Sequence, residues 1–262
     1  MPTKTTKVAL VTGSGKRRVG NAIVEALAGR GYAVALHYNR SAEEAQRTVL
    51  RLKEQGRKAR AFQADVTDQV QVARMFDEVL RQLGRLDVLV TAASIYEPER
   101  FEKITAEQMR RQFDVNVLGT FLCAQRAGMI MASQPEGGAI VTIGDWATAR
   151  PYPDYGAYLT SKGAIPGMTR MLAVELSLRN PAARVNCILP GPVLFPPDMP
   201  EAERRQAIAG TLVRREGRPE HVAHAVLFLA ENDFVTGVCL PVDGGRTLAG
   251  IERQRAQGIE ER

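Results

Sequence analysis

The sequence predicts a single α/β domain, in which a doubly wound parallel sheet of about seven strands carries helices on both faces. Apolar runs of strand length alternate along the chain with amphipathic stretches of helical period. This alternation implies right-handed crossovers, which make neighbouring strands parallel. The length of 262 residues suits one such domain, and no repeat, linker or low-complexity tract divides it.

Seven short apolar runs bounded by turn residues predict buried strands. They cover residues 8–12, 33–38, 59–63, 86–91, 139–143, 185–189 and 238–242. Helical patterns lie at residues 21–30, 42–55, 70–83 and 223–231, and a polar helix begins at Glu201. Five prolines make residues 190–200 a loop. Because ligands bind beyond the carboxyl ends of such strands, we expect residues 190–212 to cover the substrate site. The catalytic domain then spans residues 1–250, with a polar tail at residues 251–262.

The composition excludes several classes of protein. The apolar content of 45% and the charged content of 24% are typical of a soluble globular protein. No apolar run approaches the length of a membrane span, and residues 1–7 lack the apolar core of a secretion signal. The three cysteines are scattered without a Cys-x-x-Cys pair, which predicts a reducing cytoplasm and neither disulfides nor a zinc site.

The net charge of +6 favours anionic partners. The basic residues are spread along the chain without an aromatic-interleaved basic run, so we expect no nucleic-acid partner. His221 and His224 share a helix face, but catalytic zinc usually needs three protein ligands and the sequence offers no third. We therefore expect no metal.

A glycine-rich turn follows the first strand and opens a helix, with the sequence Thr12-Gly13-Ser14-Gly15-Lys16-Arg17-Arg18-Val19-Gly20. In this setting free backbone N–H groups bind the pyrophosphate of a dinucleotide. Lys16, Arg17 and Arg18 add cations that form charge-assisted hydrogen bonds to phosphate. A solvated basic turn is the alternative.

The end of the second strand indicates which dinucleotide is bound. A carboxylate there binds the ribose 2′-hydroxyl of NAD, whereas an arginine accommodates the 2′-phosphate of NADP. Asn39, Arg40 and Ser41 stand at this place, and no acid occurs before Glu43. The sequence therefore predicts NADPH, although Ser41 also suits the cap of the next helix.

Residues at the ends of the second and third strands are expected to contact the adenosine. Asp65-Val66 follows the third strand and suits the adenine edge, although Asp65 is equally common in turns. We expect His37 to pack beside the adenosine phosphate rather than to titrate in catalysis.

Asp145, Tyr158 and Lys162 predict the chemistry. Tyr158 and Lys162 are four residues apart on a predicted helix, so they share one face. An ammonium beside the phenol favours phenolate and lowers a pKa that starts near ~10. Asp145 ends the preceding strand and adds a third proton-carrying group. The alternative is a surface Tyr and Lys with a turn-forming Asp.

With these residues in view, the chain resembles the short-chain dehydrogenase/reductase family over nearly its whole length. The matches are Thr12-Gly13…Gly20, Asp65-Val66, Asn116-Val117-Leu118-Gly119, Tyr158-x-x-x-Lys162, Pro190-Gly191 and Val242-Asp243-Gly244-Gly245. The resemblance implies a Rossmann fold that binds NAD(P) and a homotetramer. It implies Tyr158 as acid/base, Lys162 holding the ribose and lowering the Tyr158 pKa, and Asn116 tied to a proton-relay water. The predicted cofactor contacts are Gly13, Lys16, Arg17, Arg18, Val19, Asn39, Arg40, Ser41, Asp65, Val66, Ala93, Tyr158, Lys162, Pro190, Gly191 and Val193.

More narrowly, the chain resembles the pteridine reductases. These carry Asp where most of the wider family has Ser, and the matching residues here are Asp145, Arg18, His37-Tyr38-Asn39-Arg40-Ser41, Tyr155 and Ala93-Ser94-Ile95-Tyr96. The resemblance implies that Ser94 and Tyr96 line a substrate slot and that Arg18 reaches the pterin. Reducing a ring C=N bond needs hydride at carbon and a proton at nitrogen, and an Asp feeding a Tyr suits that proton delivery.

The chain departs from that resemblance at three places. Thr91-Ala92 replaces the usual Asn-Asn after the fourth strand, and the glycine loop is one residue longer. Pro166 lies in the catalytic helix, where its missing N–H predicts a local kink. Trp146, beside Asp145, is compatible with the core or with a wall of the site, and we favour the wall.

The leading hypothesis is NADPH-dependent reduction of a pterin such as dihydrobiopterin or dihydrofolate. A second is a carbonyl reductase acting on 3-oxoacyl thioesters, sugars or ketones, which is expected to carry Ser at position 145. A third is a non-catalytic NADP-binding sensor. The presence of both Tyr158 and Lys162 argues against it.

Overall fold

The computed structural model describes residues 6–196 and 198–249. Within them, seven parallel strands form one sheet in the order β3-β2-β1-β4-β5-β6-β7. The strands are β1 Val8–Thr12, β2 Ala33–Tyr38, β3 Ala59–Gln63, β4 Val88–Thr91, β5 Gly138–Ile143, β6 Ala183–Pro190 and β7 Cys239–Val242. The predicted doubly wound parallel sheet is confirmed, with strand ends within two residues of those expected.

Eight α-helices connect these strands across the described residues. They are α1 Val19–Gly29, α2 Ala42–Glu54, α3 Gln69–Leu83, α4 Ala106–Phe113, α5 Gly119–Ala132, α6 Gly156–Ser177, α7 Glu201–Ala209 and α8 Pro219–Glu231. A π-helical turn, Asp114–Leu118, joins α4 to α5. A short 3₁₀ turn, Trp146–Thr148, follows β5 and precedes α6.

The strands are apolar throughout because both faces of the sheet are covered. Successive side chains of a strand point to opposite faces. Leu10 therefore packs with residues of α3, α5 and α6, while its neighbour Val11 packs with residues of α1 and α8. Two buried layers result, and together they hold the carboxyl ends of the strands at one edge of the sheet.

The strand order reverses between β1 and β4, and this switch point opens a crevice at the carboxyl edge. Gly13 leaves β1 with a φ of +64°, and a Cβ there would lie 2.5 Å from the Cα of Ala93. The Ala93 amide donates to the hydroxyl of Thr12 at 3.1 Å. The two loops that follow β1 and β4 are thus held close together.

One helical stretch is long and apolar enough to cross a membrane by length and composition alone. It is Ala106–Ala132, a helix of 27 residues. The expectation that no apolar run approaches this length was wrong, because the π turn joins α4 and α5 into one helix. Half of its most apolar window is buried in the protein, where Ala124, Ala127 and Met131 belong to the core. A buried core helix passes the same test.

Helix α6 continues through Pro166 as one element. Proline has no N–H, so the helix lacks the hydrogen bond that residue 166 would make to the carbonyl of Lys162. The kink expected there stays a prediction, as do the domain limits of residues 1–250. The expected polar tail, residues 251–262, lies outside the described residues.

Thr91, at the end of β4, provides a test of stability. Its buried hydroxyl has no hydrogen-bond partner among the described residues. Because an unpaired buried hydroxyl is costly, we expect Thr91→Val to raise the free energy of unfolding by about 1 kcal/mol in a urea titration. The matched variant Thr12→Val leaves the Ala93 amide without its acceptor and should lower it. A loss of stability in Thr91→Val would show that the hydroxyl has a partner.

Candidate active site

A cavity of about 1090 Å³ opens at the carboxyl edge of the sheet. It is larger than the pockets that usually hold one small ligand. Its wall contains residues from the loops after β1, β2, β3, β4, β5 and β6. The volume and the several contributing strands suit a dinucleotide together with a second molecule.

Asp145 and Tyr158 meet in this cavity. The Tyr158 hydroxyl donates to Oδ2 of Asp145 at 2.7 Å. The other carboxyl oxygen, Oδ1, accepts from the Ala147 amide at 2.8 Å, so Asp145 caps the 3₁₀ turn that follows β5. Because both oxygens are engaged, the carboxyl group is held in one orientation toward the phenol.

The pKa of Tyr158 is raised well above its ordinary value, first by burial and then by the charge and hydrogen bond of Asp145. We expected a lowered pKa for Tyr158, but burial and Asp145 give a net rise. The Lys162 ammonium lies 5.9 Å from the centre of the Tyr158 ring and donates to the carbonyl of Ile143 at 2.9 Å. Tyr158 is therefore a neutral phenol, which is the form that donates a proton.

Burial also shifts the other two ionisable groups toward their neutral forms. It raises the pKa of Asp145, against the hydrogen bonds from Tyr158 and Ala147 and the charge of Lys162. It lowers the pKa of Lys162 to about 8, against the charge of Asp145. Each group is therefore poised nearer to neutral pH than its free counterpart.

Asn116 links the loop after β4 to the catalytic helix. It lies in the π turn, where the Gly119 amide donates to the carbonyl of Asp114. Its Oδ1 accepts from Ser94 Oγ at 3.0 Å, and its Nδ2 donates to Ser161 Oγ at 2.9 Å. Ser161 stands on α6 directly before Lys162. Asn116 thus positions the loop against α6, and its link to a relay water stays a prediction.

Aromatic rings form the substrate side of the cavity. Tyr155 stacks on Tyr96 with ring centres 4.3 Å apart and planes 17° apart. Tyr158 is perpendicular to Tyr96 at 4.8 Å. Tyr96 lines the cavity, whereas Tyr155 is not part of its wall. Trp146 lies in the wall, as expected.

The glycine turn forms the opposite end of the cavity. Gly13, Lys16, Arg18 and Val19 line it, but Arg17 is exposed and outside the wall, so its expected cofactor contact is not supported. The first turn of α1 has no side-chain cap, which leaves backbone N–H groups available to phosphate. A Cβ at Gly15 would lie 2.3 Å from the Ser41 hydroxyl, so the turn rests against the end of β2.

The buried His37 ring holds the glycine turn in place through a hydrogen bond with Gly13. The Gly13 amide donates to Nδ1 at 3.0 Å, and Nε2 lies 3.0 Å from the carbonyl of Ala64. A ring that accepts at Nδ1 and meets a carbonyl at Nε2 carries its proton on Nε2. Burial lowers the His37 pKa to about 4, so the ring is neutral and structural.

The remaining predicted cofactor residues also lie around the cavity. They are Asn39, Arg40, Ser41, Asp65, Val66, Ala93, Pro190, Gly191 and Val193. The carboxylate of Asp65 accepts from the amide and hydroxyl of Thr67 at 2.9 Å and 2.8 Å, so it forms a turn as well as facing the cavity. A Cβ at Gly191 would lie 2.4 Å from the Cα of Asp243. This cradle of side-chain-free positions and cations fits a dinucleotide.

Several cavity residues were not identified from the sequence. They are Tyr152, Arg246 and the residues of α4 and the π turn, Glu107, Arg110, Arg111, Asp114 and Val115. Leu194, Phe195 and Ala207 also line the cavity, and they fall within residues 190–212, which were expected to cover the site. Arg246 directly follows the Val242-Asp243-Gly244-Gly245 match, which was the one local signal available. Tyr152 lies in the connection between β5 and α6, and the remaining residues reach the site through the packing of α4 and the π turn.

Known proteins resemble this chain over nearly its full length. A Methylorubrum extorquens protein described as an uncharacterized oxidoreductase is 38% identical over 251 residues, covering 91% of this chain and 97% of its own. Residues 14–247 match the family model described as enoyl-(acyl carrier protein) reductase. The chain belongs to the short-chain dehydrogenase/reductase family.

Other members of the short-chain dehydrogenase/reductase family agree with this assignment. A 3-oxoacyl-[acyl-carrier-protein] reductase of Staphylococcus aureus is 34% identical over 248 residues, covering 92% of this chain and 98% of its own. The crystal structure of an acetoin dehydrogenase from Enterobacter cloacae matches with a TM-score of 0.85 at 31% identity, covering 95% and 99%. As a short-chain dehydrogenase/reductase, the protein is an oxidoreductase that binds NAD(P).

The pKa of Lys162 predicts how dinucleotide binding depends on pH. Because burial lowers this pKa, the ammonium persists below about pH 8 and is lost as the pH rises through that value. We expect the Kd of the reduced dinucleotide, measured by its fluorescence, to rise above about pH 8. In Lys162→Arg the guanidinium stays charged, so the same rise should be absent. Identical profiles in both proteins would show that another group titrates.

Proposed function

We propose that the protein is an NADPH-dependent reductase of a pterin ring, such as that of dihydrobiopterin or dihydrofolate, with Tyr158 as the proton donor. The observation that carries this proposal is the 2.7 Å hydrogen bond between the Tyr158 hydroxyl and Asp145. Reduction of a ring C=N bond needs one proton at nitrogen. A carboxyl group that can resupply the phenol provides it.

The pair can deliver a proton in two coupled transfers. The Tyr158 hydroxyl turns from Asp145 to the substrate nitrogen and gives up its proton. Burial raises the pKa of Asp145, so the carboxyl group holds a proton at higher pH than a free Asp and can pass it to the phenolate. The Lys162 ammonium, 5.9 Å from the ring centre, stabilises the negative charge that develops on the phenolate.

The aromatic side of the cavity suits a flat substrate. The distances between the centres of Tyr96, Tyr155 and Tyr158 are 4.3, 4.8 and 6.4 Å, which make a nearly right angle at Tyr96. Tyr155 therefore covers one face of Tyr96, and Tyr158 lies beside its edge. The opposite face is available for a pterin ring to stack. Ser94 and Arg18 line the same cavity and offer polar contacts.

The charges around the cavity favour NADPH over NADH. Arg40 stands at the end of β2 and, among the residues that the structure describes, pairs with no carboxylate. Lys16 and Arg18 line the neighbouring wall. An unpaired guanidinium suits a 2′-phosphate, whereas a ribose diol usually meets an acid. When bound, NADPH supplies the hydride.

Carbonyl reduction is the second candidate, and the relatives favour it. The Staphylococcus aureus protein that is 34% identical to this chain is a 3-oxoacyl-[acyl-carrier-protein] reductase. A carbonyl oxygen needs a hydroxyl donor, for which the family commonly uses Ser where this chain has Asp145. Which substrate an Asp145 variant still reduces therefore distinguishes pterin reduction from carbonyl reduction. A homotetramer and a cytoplasmic location stay predictions.

A variant panel tests the proton donor and its partner. NADPH oxidation is followed by absorbance with dihydrobiopterin, dihydrofolate and an acetoacetyl thioester as substrates. We expect Tyr158→Phe to abolish turnover while the Kd of NADPH changes little. Asp145→Ser should lower kcat for the pterins by roughly a hundredfold, the contribution typical of a general acid or base, and leave or improve thioester reduction. Unchanged pterin rates in Asp145→Ser would refute the role of Asp145. Thioester turnover with inert pterins would favour carbonyl reduction.

The cofactor preference is tested at Arg40. We expect Arg40→Ala to raise the KM of NADPH by about tenfold, because a charge-assisted contact to the 2′-phosphate is lost, and to leave the KM of NADH nearly unchanged. Arg57→Ala is the matched control, since Arg57 is exposed and outside the cavity wall. Equal effects of Arg40→Ala on both dinucleotides would exclude a 2′-phosphate contact.

A further inference from the structure

Arg246 lies in the wall of the cavity on its substrate side. Its guanidinium carbon is 5.1 Å from the centre of the Trp146 ring, and Trp146 directly follows Asp145 in the chain. The turn that carries Arg246 is fixed by Asp243, whose carboxylate accepts from the amides of Gly245 and Thr247 at 2.9 Å and 2.8 Å. The Trp146 indole therefore lies between the Asp145–Tyr158 pair and the guanidinium of Arg246, whose turn is fixed by Asp243.

No carboxylate of the described residues, 6–196 and 198–249, balances the charge of Arg246. Among the described residues its guanidinium meets no carboxylate, and its one hydrogen-bond acceptor is the carbonyl of Ala207, 2.6 Å from Nη1. Arg150 adds a second cation nearby and donates to the carbonyl of Arg246 at 3.1 Å. Burial and the charge of Arg150 both lower the Arg246 pKa. A partly buried cation beside another cation attracts an anion.

The backbone at Gly210, directly after α7, makes room for this guanidinium. A Cβ at Gly210 would overlap Nη1 of Arg246 and lie 2.6 Å from its Cζ. Gly210 follows the last residue of α7, where helix carbonyls favour a cation. With Nη1 held by Ala207, the Nε and Nη2 donors have no acceptor in the part of the chain that the structure describes. They can form a fork for a carboxylate or phosphate.

We propose that Arg246 binds an acidic group on the substrate's substituent, so that the enzyme favours acid-bearing pterins over neutral ones. The inference rests on the proposed function for the identity of the ring, and it deepens that function by naming the substituent. A ring held at Tyr158 would extend its substituent past Trp146 to the guanidinium. Dihydrofolate, with its carboxylates, fits this arrangement better than dihydrobiopterin, whose side chain is uncharged.

Binding is tested without turnover. The chain has one tryptophan, so its intrinsic fluorescence reports on Trp146 and the guanidinium beside it. The probe is p-aminobenzoylglutamate, the acid-bearing part of dihydrofolate, with p-aminobenzamide as the neutral comparison and inorganic phosphate as the other anion. We expect a saturable change with the acid and none with the amide. Arg246→Met should weaken the acid about tenfold, as the loss of a charge-assisted contact does.

Two further variants separate charge from position. Arg246→Lys keeps a cation but not the fork, and should bind more weakly than the parent and more tightly than Arg246→Met. Gly210→Ala keeps Arg246 but displaces its guanidinium, and should weaken the acid as well. Arg179→Met is the control, because Arg179 is exposed and paired with Glu175 on α6. Equal affinity in the parent and Arg246→Met would overturn the inference, as would equal binding of the neutral amide.

Turnover then distinguishes the two proposals. The ratio of kcat/KM for dihydrofolate to that for dihydrobiopterin should fall about tenfold in Arg246→Met, while the control keeps the parent ratio. Comparing kcat/KM for dihydroneopterin monophosphate with that for dihydroneopterin shows whether Arg246 accepts a phosphate in place of a carboxylate. If Arg246→Met reduces pterins with the parent ratio of kcat/KM values, the role of Arg246 is refuted but the pterin proposal is not. Absence of all pterin turnover, with acid binding lost in Arg246→Met, would end the pterin proposal and leave the anion site.

Discussion

The hydrogen bond between Tyr158 and Asp145 is the contact on which the chemistry of this site depends. It requires that a strand and the following helix bring together two side chains whose positions are 13 apart in the sequence. Two residues after the end of β5, Asp145 caps the 3₁₀ turn that follows, which fixes its carboxyl group. Helix α6 begins close enough for its first turn to carry the phenol. Loss of either geometry would separate the two groups.

Burial dominates the electrostatics of this contact. Removal from water is the largest influence on Asp145, Tyr158 and Lys162, and it moves each toward its neutral form. At neutral pH the Tyr158 phenol is uncharged, whereas Lys162, with a pKa of about 8, keeps its ammonium. The cations Lys16, Arg18 and Arg40 stand at the opposite end, where a dinucleotide would bring its phosphates. Charge is thus concentrated where phosphates bind and reduced where a proton moves.

Much of the fold could be predicted because each local signal has a local cause. Strands buried on both faces must be apolar, so their limits are visible in the sequence. The turn after β1 needs a positive φ at Gly13, and a glycine in the sequence indicates such a position because it adopts positive φ without strain. The approach of Asp145 to Tyr158 followed from the one connection between β5 and α6. Long-range packing was invisible, and it determines that Arg246 and the α4 residues Arg110 and Arg111 reach the cavity. The effect of burial on the Tyr158 pKa was missed for the same reason, since the depth of a side chain is a property of the whole fold.

The π turn between α4 and α5 has a consequence for how scaffold and site depend on one another. Such a turn accommodates one additional residue inside a helix, and the regular segments on either side keep their phase. Asn116 lies in this turn and connects Ser94, in the loop after β4, to Ser161 on α6. Shortening the turn by one residue would restore uniform helical winding and leave α4 and α5 facing their neighbours. The Asn116 amide would lose its hydrogen bonds to Ser94 and Ser161, while the packing of α4 and α5 would be retained. Folding and active-site organisation are therefore separable at this position.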